Sequence, residues 1–163
     1  MEIAAIRSRA GNKISSFQSL VNPGKPVSPE AFKVNKISEN MLLSAPLPGE
    51  IFPKFMDFSR GSCLCSYNAG FDLGFLNNEL RLLGIDEIKA APVVDILTMA
   101  RRVIPGLESY ALWFVSGKLG IKSGQEHRAL SDAELASGVF YRLKDMLEAK
   151  EGRPVKLENI INI

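Results

Sequence analysis

Two predicted helices in this chain each begin with an aspartate that shares a face with the apolar residues of its helix. The apolar residues at helical spacing are Leu76, Leu80 and Leu83 after Asp72, and Ala136, Val139, Phe140 and Leu143 after Asp132. A carboxylate on that face is directed toward the interior, where burial without a partner is costly. Two such carboxylates, with His127 five residues before the second, favour a shared divalent metal ion.

The composition is that of one globular domain. The chain has 163 residues, of which 46% are hydrophobic and 23% are charged, enough to form a core. A formal net charge of +2 is too small to indicate nucleic-acid binding and does not exclude it. No apolar run approaches the roughly 20 residues that span a bilayer, and the start lacks a signal-peptide pattern. We therefore expect a cytoplasmic protein without membrane contact.

Cys63 and Cys65 are the two cysteines of the chain, and they alternate on a predicted strand. Their side chains share a face but are poorly placed to bond to each other. Two cysteines are also too few for the usual zinc sites. We therefore expect reduced thiols that face the core, as in cytoplasmic proteins.

The order of the predicted elements indicates an α/β layer structure with a mixed sheet. The chain starts with a hairpin, with strands from Glu2 to about Arg9 and from Lys13 to Val21. The elements that follow are short helices over 28–44 with Ser38 as N-cap, an amphipathic stretch over 51–58, a buried strand over 62–67, a helix ending at Leu83, a strand or helix entry over 93–97, a helix over 110–119 capped by Ser109 and a helix over 130–148. We divide the chain into a domain over 1–148 and a C-terminal tail over 149–163.

Ordinary structural explanations exist for the candidate site residues. An aspartate in the first turn of a helix complements the positive end of the helix dipole, and His127 can be a polar loop residue. The chemical explanation is hydrolysis of a phosphodiester, in which several carboxylates hold two divalent ions. A histidine can then accept the proton of the attacking water near neutral pH. Spacing alone leaves both explanations open.

Two ordered motifs favour the chemical explanation. Residues 68–72 read NAGFD and residues 127–132 read HRALSD. These resemble the second and third motifs of the DEDDh 3′–5′ exonucleases, the DnaQ-like branch of the ribonuclease H-like superfamily. The similarity continues at residues 2–7 and 95–107, and so covers nearly the whole chain. The resemblance implies a ribonuclease H-like α/β fold, in which helices flank a mixed sheet.

The resemblance also implies an activity. The protein would hydrolyse phosphodiesters at the 3′ ends of single-stranded DNA or RNA by a two-metal mechanism, with Mg²⁺ or Mn²⁺ as cofactor. Asp72 and Asp132 would be catalytic residues and metal ligands, and His127 the general base. A DNA polymerase is a further partner that the family suggests.

By the same resemblance, two residues of the NAGFD motif would bind the substrate. Asn68 and Phe71 would lie near the 3′-terminal nucleotides, where a ring can stack on bases. Each has an alternative. Phe71 could pack in the core with Phe75, and Asn68 could cap its helix.

The chain departs from the family pattern at its start. Relatives carry an Asp-x-Glu motif on a central strand, and no such motif precedes the hairpin here. We expect the chain alone to have little or no activity, because half of the four carboxylates would be absent. Neighbouring strands would lose ladder partners, and an exposed edge would favour a homodimer. Glu2 is not a substitute, since it matches the second family strand.

The remaining alternatives concern function and substrate. The chain could be a non-catalytic module that binds nucleic acid or a polymerase, or a small-molecule-binding α/β protein. Residues 35–38 read NKIS where relatives often have HGIT, and Tyr67 replaces a frequent small residue or histidine. These changes make the family's substrate preference harder to transfer.

Overall fold

The computed structural model describes residues 1–89, 92–122 and 128–161. Within these ranges the strands are β1 (Glu2–Arg9), β2 (Asn12–Leu20), β3 (Leu64–Ser66) and β4 (Val93–Asp95). The helices are α1 (Pro29–Asn35), α2 (Glu39–Leu43), α3 (Pro48–Ser59), α4 (Ala69–Leu82), α5 (Ile96–Val103), α6 (Leu112–Lys118), α7 (Ala129–Glu151) and α8 (Leu157–Ile161). None of these helices is long and apolar enough to pass through a bilayer.

The predicted N-terminal hairpin is confirmed. Strands β1 and β2 pair antiparallel, with Glu2 opposite Leu20, and the register shifts between Arg7 and Ser8. The turn uses Gly11 at φ +83°, a backbone conformation that a residue without a Cβ adopts at no steric cost. The shift at Arg7 is a bulge, which increases the local twist of the ribbon.

The sheet is divided into two pairs within the described ranges. Strands β3 and β4 pair parallel, with Leu64 opposite Val93 and Ser66 opposite Asp95, while β1 and β2 form the other pair. Helix α7 packs against both β1 and β3. The predicted mixed α/β order is therefore confirmed, and α7 is the element that joins the two halves.

Two clusters of apolar side chains form the core. The larger one lies around α5, α6 and α7, with Val94, Ile96, Met99, Val115, Val139 and Leu143 almost fully buried. The smaller one joins the hairpin to α3 and α4 through Phe52, Phe55, Leu76 and Leu80. Leu76 and Leu80 thus belong to a different cluster from the apolar residues predicted after Asp132, which fixes α4 and α7 against different parts of the molecule. Leu83, predicted on the same face as Leu76, is exposed instead.

Strand β3 differs from the prediction. It has three residues, Cys65 on it is exposed, and Cys63 before it is half-buried. The expected buried strand is therefore wrong, and of the two thiols expected to face the core, Cys63 packs against the larger cluster while Cys65 does not. The two thiols do share a face as expected. Their mutual hydrogen bond lowers the pKa of Cys63 and raises that of Cys65.

Other element bounds confirm or shift the predictions. Residues 93–97 contain both predicted alternatives, a strand that ends at Asp95 and a helix that follows it. Helix α6 starts at Leu112 with Ala111 at the N-cap position, so the prediction that Ser109 caps it is wrong. The Ser109 hydroxyl accepts from the backbone N–H of Ala111 at 3.2 Å, in the turn before the helix. Helix α7 continues to Glu151. Beyond it, the predicted tail folds back, and Val155 and Ile160 lie in the larger core.

The NKIS segment joins α1 to α2. Lys36 ends α1 at φ +57°, the left-handed region in which glycine is the usual residue. Ser38 caps α2 as predicted, with its hydroxyl accepting from the Met41 N–H at 3.3 Å.

Candidate active site

The NAGFD motif lies at the start of α4. Asn68 is exposed at the N-cap position with φ +70°, and its side chain makes no capping hydrogen bond among the described residues. The alternative that Asn68 caps the helix through its side chain is therefore wrong. Its backbone N–H instead donates to Asp95 Oδ1 at 3.3 Å. The side-chain amide of Asn68 is thus available to other partners.

Asp95 connects the starts of two helices. It is the N-cap of α5, and its Oδ1 accepts from the N–H groups of Leu97 at 2.9 Å and Thr98 at 3.3 Å, in addition to Asn68. The same oxygen therefore positions α5 and holds the left-handed turn before α4. The sequence contained a signal for this role, since an aspartate that ends a strand and precedes a helix is a preferred N-cap.

Asp72 is exposed in the first turn of α4, and Asp132 is exposed in the first turn of α7, so the prediction that both carboxylates point toward the interior is wrong. The hydroxyl of Ser66, the last residue of β3, donates a hydrogen bond to Asp72 Oδ2. That contact orients the carboxylate toward the end of the parallel pair. Our sequence reasoning missed Ser66, and its only signal was a hydroxyl at a strand end shortly before the motif.

Phe71 projects into solvent beside Asp72. Its side chain is 73% exposed and that of Phe75, one turn later, is 47% exposed. Core packing of Phe71 against Phe75 is therefore wrong. The ring of Phe71 is therefore open to solvent beside the Asp72 carboxylate.

Tyr67 and α8 shape the other side of this region. The Tyr67 hydroxyl donates to the Tyr110 carbonyl at 2.7 Å, and burial raises the pKa of Tyr67 to about 12. This residue therefore has a structural role. A cavity of about 250 Å³ lies nearby, lined by Ala69, Gly70, Leu73, Asp95, Thr98 and Ile160. The C-terminal segment thus lines one side of this cavity, next to the NAGFD motif.

The described residues of the HRALSD motif, 128–132, lie at the start of α7. Asp132 is exposed in its first turn, and its backbone N–H donates to the Arg128 carbonyl at 3.0 Å. Arg128 Nε and Nη2 donate to the Glu2 carboxylate at 3.0 and 2.7 Å. His127 lies outside the described residues.

Glu2 is committed to structural contacts. Its side chain is 5% exposed, and it also accepts from the Ala129 N–H at 3.1 Å and the Gln18 amide at 3.0 Å. The hydrogen bonds from Arg128 lower the pKa of Glu2 to about 2. These contacts agree with the expectation that Glu2 does not replace a missing metal ligand.

The side chains of Asp72 and Asp132 are ligands of the chemical type that a divalent ion takes. Aspartate oxygens suit Mg²⁺ and Mn²⁺, and Mg²⁺ is commonly held by one or two carboxylates, with water and phosphate completing the shell. The described part of the chain holds no group of three or more His, Cys, Asp or Glu side chains placed to bind a metal. Asp72 and Asp132 are thus too few for a two-ion site.

Comparisons with known proteins place this geometry in a family. An exonuclease family model (RNase_T) matches residues 1–140. The DNA polymerase III PolC-type of Bacillus cereus is 34% identical over 149 residues, which are 91% of this chain and 10% of that protein. That of Pediococcus pentosaceus is 33% identical, with the same coverage. The chain therefore spans about a tenth of the length of these curated relatives.

Solved structures show the same fold. Exonuclease X in complex with 5′-overhanging duplex DNA superposes with a TM-score of 0.72 at 23% identity, covering 99% of this chain and 88% of that one. The nuclease domain of 3′hExo, a DEDDh family member bound to rAMP, gives 0.68 at 16% identity, covering 87% and 75%. The fold is ribonuclease H-like. With the family match over residues 1–140, the chain belongs to this exonuclease (RNase_T) family.

Proposed function

We propose that this domain acts on the 3′ ends of nucleic acid as a 3′–5′ exonuclease-type protein that releases nucleoside monophosphates. The observation that carries the proposal is the placement of Asp72 and Asp132. Each is exposed in the first turn of its helix, at the matching position of the family motif. Helix α7 packs on β3, and the last residue of β3 contacts Asp72, which supports convergence of the two carboxylates.

The residues have distinct roles in this proposal. Asp72 and Asp132 hold a divalent ion, Mg²⁺ or Mn²⁺, which would stabilise negative charge on the reacting phosphate. His127 accepts the proton of the attacking water. Ser66 keeps the Asp72 carboxylate oriented through its hydrogen bond.

The substrate is a single-stranded 3′ end of DNA or RNA. Phe71 stacks on a terminal base, a contact that every base can make, and the Asn68 amide donates to the sugar or phosphate. The PolC-type names of the relatives support a polymerase as partner. We also propose a cytoplasmic location and self-association through unpaired strand edges.

Two-metal hydrolysis requires more carboxylates than the described residues supply. Asp72 and Asp132 can hold one ion, and a second ion needs further oxygen ligands. We therefore expect slow hydrolysis, or none, by this chain alone. The small donor set also favours a second candidate function, a non-catalytic module that binds nucleic acid or a polymerase on the same fold.

Release of labelled nucleotide tests the first function. A single-stranded DNA with a labelled 3′ nucleotide is incubated with the chain and Mn²⁺, and free mononucleotide is measured. Asp132→Asn should abolish release, while Asp145→Asn, an exposed change on the same helix, should not. Release that persists in Asp132→Asn would contradict the proposed site.

Binding without release identifies the second function. Fluorescence anisotropy with the same DNA in EDTA measures affinity without hydrolysis. Phe71→Ala should weaken binding by roughly 1–3 kcal/mol, the value of one base stacked on a ring. A chain that neither binds nor cleaves single strands would contradict both functions.

A further inference from the structure

We propose that Glu2 is a positioning residue of the candidate site. Through Arg128 and Ala129 it sets the first turn of α7, and with it the Asp132 carboxylate. This inference rests on the proposed function, because it takes Asp132 to be a metal ligand. No motif resemblance assigns this role to Glu2, which the sequence alone presents as a strand residue.

The start of α7 takes an acceptor from a distant strand. Arg128 occupies the N-cap position, and a guanidinium has no acceptor to offer the first N–H groups of a helix. Glu2 Oε2 accepts from the Ala129 N–H at 3.1 Å. A carboxylate at that end also complements the helix dipole. The helix therefore starts where β1 places this carboxylate.

Glu2 also fixes the position of the Arg128 guanidinium. The two contacts, 2.7 Å from Nη2 and 3.0 Å from Nε, form a bidentate pair of defined geometry. Arg128 directly precedes α7 and Asp132 lies in its first turn, so the two opposite charges belong to the same end of the helix. By holding the guanidinium against β1, Glu2 reduces its competition with a metal ion for the Asp132 carboxylate.

The hairpin is a firm support for this contact. Glu2 lies opposite Leu20 in the β ladder, and the Gln18 amide donates to Oε1 at 3.0 Å. The Asp132 N–H closes the first turn of α7 on the Arg128 carbonyl at 3.0 Å. Direct contacts therefore lead from the hairpin to Asp132. Residues that orient metal ligands typically contribute roughly 10–100-fold to the affinity for the metal ion.

Two measurements on the full chain test the inference. Mn²⁺ affinity is measured by electron paramagnetic resonance of the free ion, and amide hydrogen exchange is followed over residues 129–132. In Glu2→Gln we expect about tenfold weaker Mn²⁺ binding and faster exchange. The matched control is Glu134→Gln on the same helix, whose partner Lys13 forms an exposed pair. It should change neither readout by more than about twofold.

Two further variants separate the contributions. Arg128→Lys keeps the positive charge but cannot make the bidentate contact with Glu2. It should give an intermediate loss of Mn²⁺ affinity even if Glu2→Gln folds poorly. Adding Arg128→Gln to Glu2→Gln removes the competing guanidinium. That double variant should bind Mn²⁺ more tightly than Glu2→Gln, and equal or weaker binding would contradict the competition.

The outcomes distinguish this inference from the proposed function. If Asp132→Asn does not weaken Mn²⁺ binding, the proposed metal site fails and this inference fails with it. If binding depends on Asp132 but is unchanged in Glu2→Gln, only this inference is overturned. Faster exchange with unchanged Mn²⁺ affinity would mean that Glu2 is a helix cap and nothing more, which also overturns it.

Discussion

The two helices that carry the candidate metal ligands start in different ways. At α4 the supporting contacts come from the ends of the parallel strands, where Ser66 contacts Asp72 and Asp95 accepts from Asn68. At α7 the support comes from Glu2, at the opposite end of the chain. One carboxylate is therefore placed by the parallel pair and the other by the hairpin. The site geometry depends on how α7 holds these two pairs together.

The two supports also differ in energy. Glu2 is 5% exposed and Arg128 is 35% exposed, so their charge-assisted hydrogen bonds are largely shielded from water. Asp95 makes capping contacts to backbone amides, and a cap typically contributes about 1 kcal/mol. The start of α7 should therefore be the more sensitive of the two to mutation.

The largest expected effect is that of Glu2→Ala. It removes the carboxylate that accepts from Arg128 and Ala129, and should lower the free energy of unfolding by about 2–3 kcal/mol, within the range of hydrogen bonds to charged groups. Urea unfolding followed by circular dichroism at pH 7 measures it. Lys13→Ala breaks an exposed pair with Glu134 and should cost less than about 1 kcal/mol. Equal losses in the two variants would show that the Glu2–Arg128 pair stabilises the fold no more than an exposed pair does.

Acid should reveal the same contact. The pKa of Glu2 is lowered from 4.5 to about 2, so the unfolded chain takes up this proton at higher pH than the folded one. The stabilisation is complete above about pH 4.5, decreases below it, and is lost as the pH falls through about 2. Between these values the parent should lose stability more steeply than Glu2→Gln in a series of urea titrations. Parallel curves for the two proteins would contradict the lowered pKa.

Asp95→Ala tests the support of α4 and should have a smaller effect. Loss of the α5 cap and of the Asn68 contact should cost roughly 1–2 kcal/mol of unfolding free energy. Asp95→Asn keeps an acceptor at Oδ1 and should cost less. Hydrogen exchange at Asn68 should accelerate in the alanine variant alone. If both variants behave alike, the carboxamide cannot replace the carboxylate and the charge matters more than the cap.

A helix end outside the site gives the scale of a purely local effect. Lys36→Gly relieves a left-handed residue at φ +57° and should raise the free energy of unfolding by up to about 1 kcal/mol. Lys33→Gly, inside the last turn of the same helix, should lower it by about 0.5–1 kcal/mol. Thermal unfolding measures both. A destabilised Lys36→Gly would mean that the lysine side chain contributes more than its backbone strain costs.

Sequence patterns predicted the elements whose causes are local. The hairpin follows from two strands separated by a short turn, and the start of α2 from the Ser38 hydroxyl. The motif residues were also found in sequence, at the starts of α4 and α7. Each of these features depends on residues only a few positions apart.

Features that depend on distant contacts were missed. The role of Glu2 requires Arg128, 126 residues later, and no local pattern connects them. Exposure of Cys65 depends on how many strands flank β3, and burial of Ile160 depends on where the chain returns after α7. Phe71 was open between core and surface because the face of α4 that packs is set by α3 and the hairpin.

The central claim is that Asp72 and Asp132 bind the same ion. Titration of Mn²⁺ into the parent, Asp72→Asn, Asp132→Asn and the double variant tests it most directly. If one ion needs both carboxylates, each single variant should lose most of the affinity and the double variant little more. Losses that add in the double variant, or a single variant that keeps the parent affinity, would contradict a shared site.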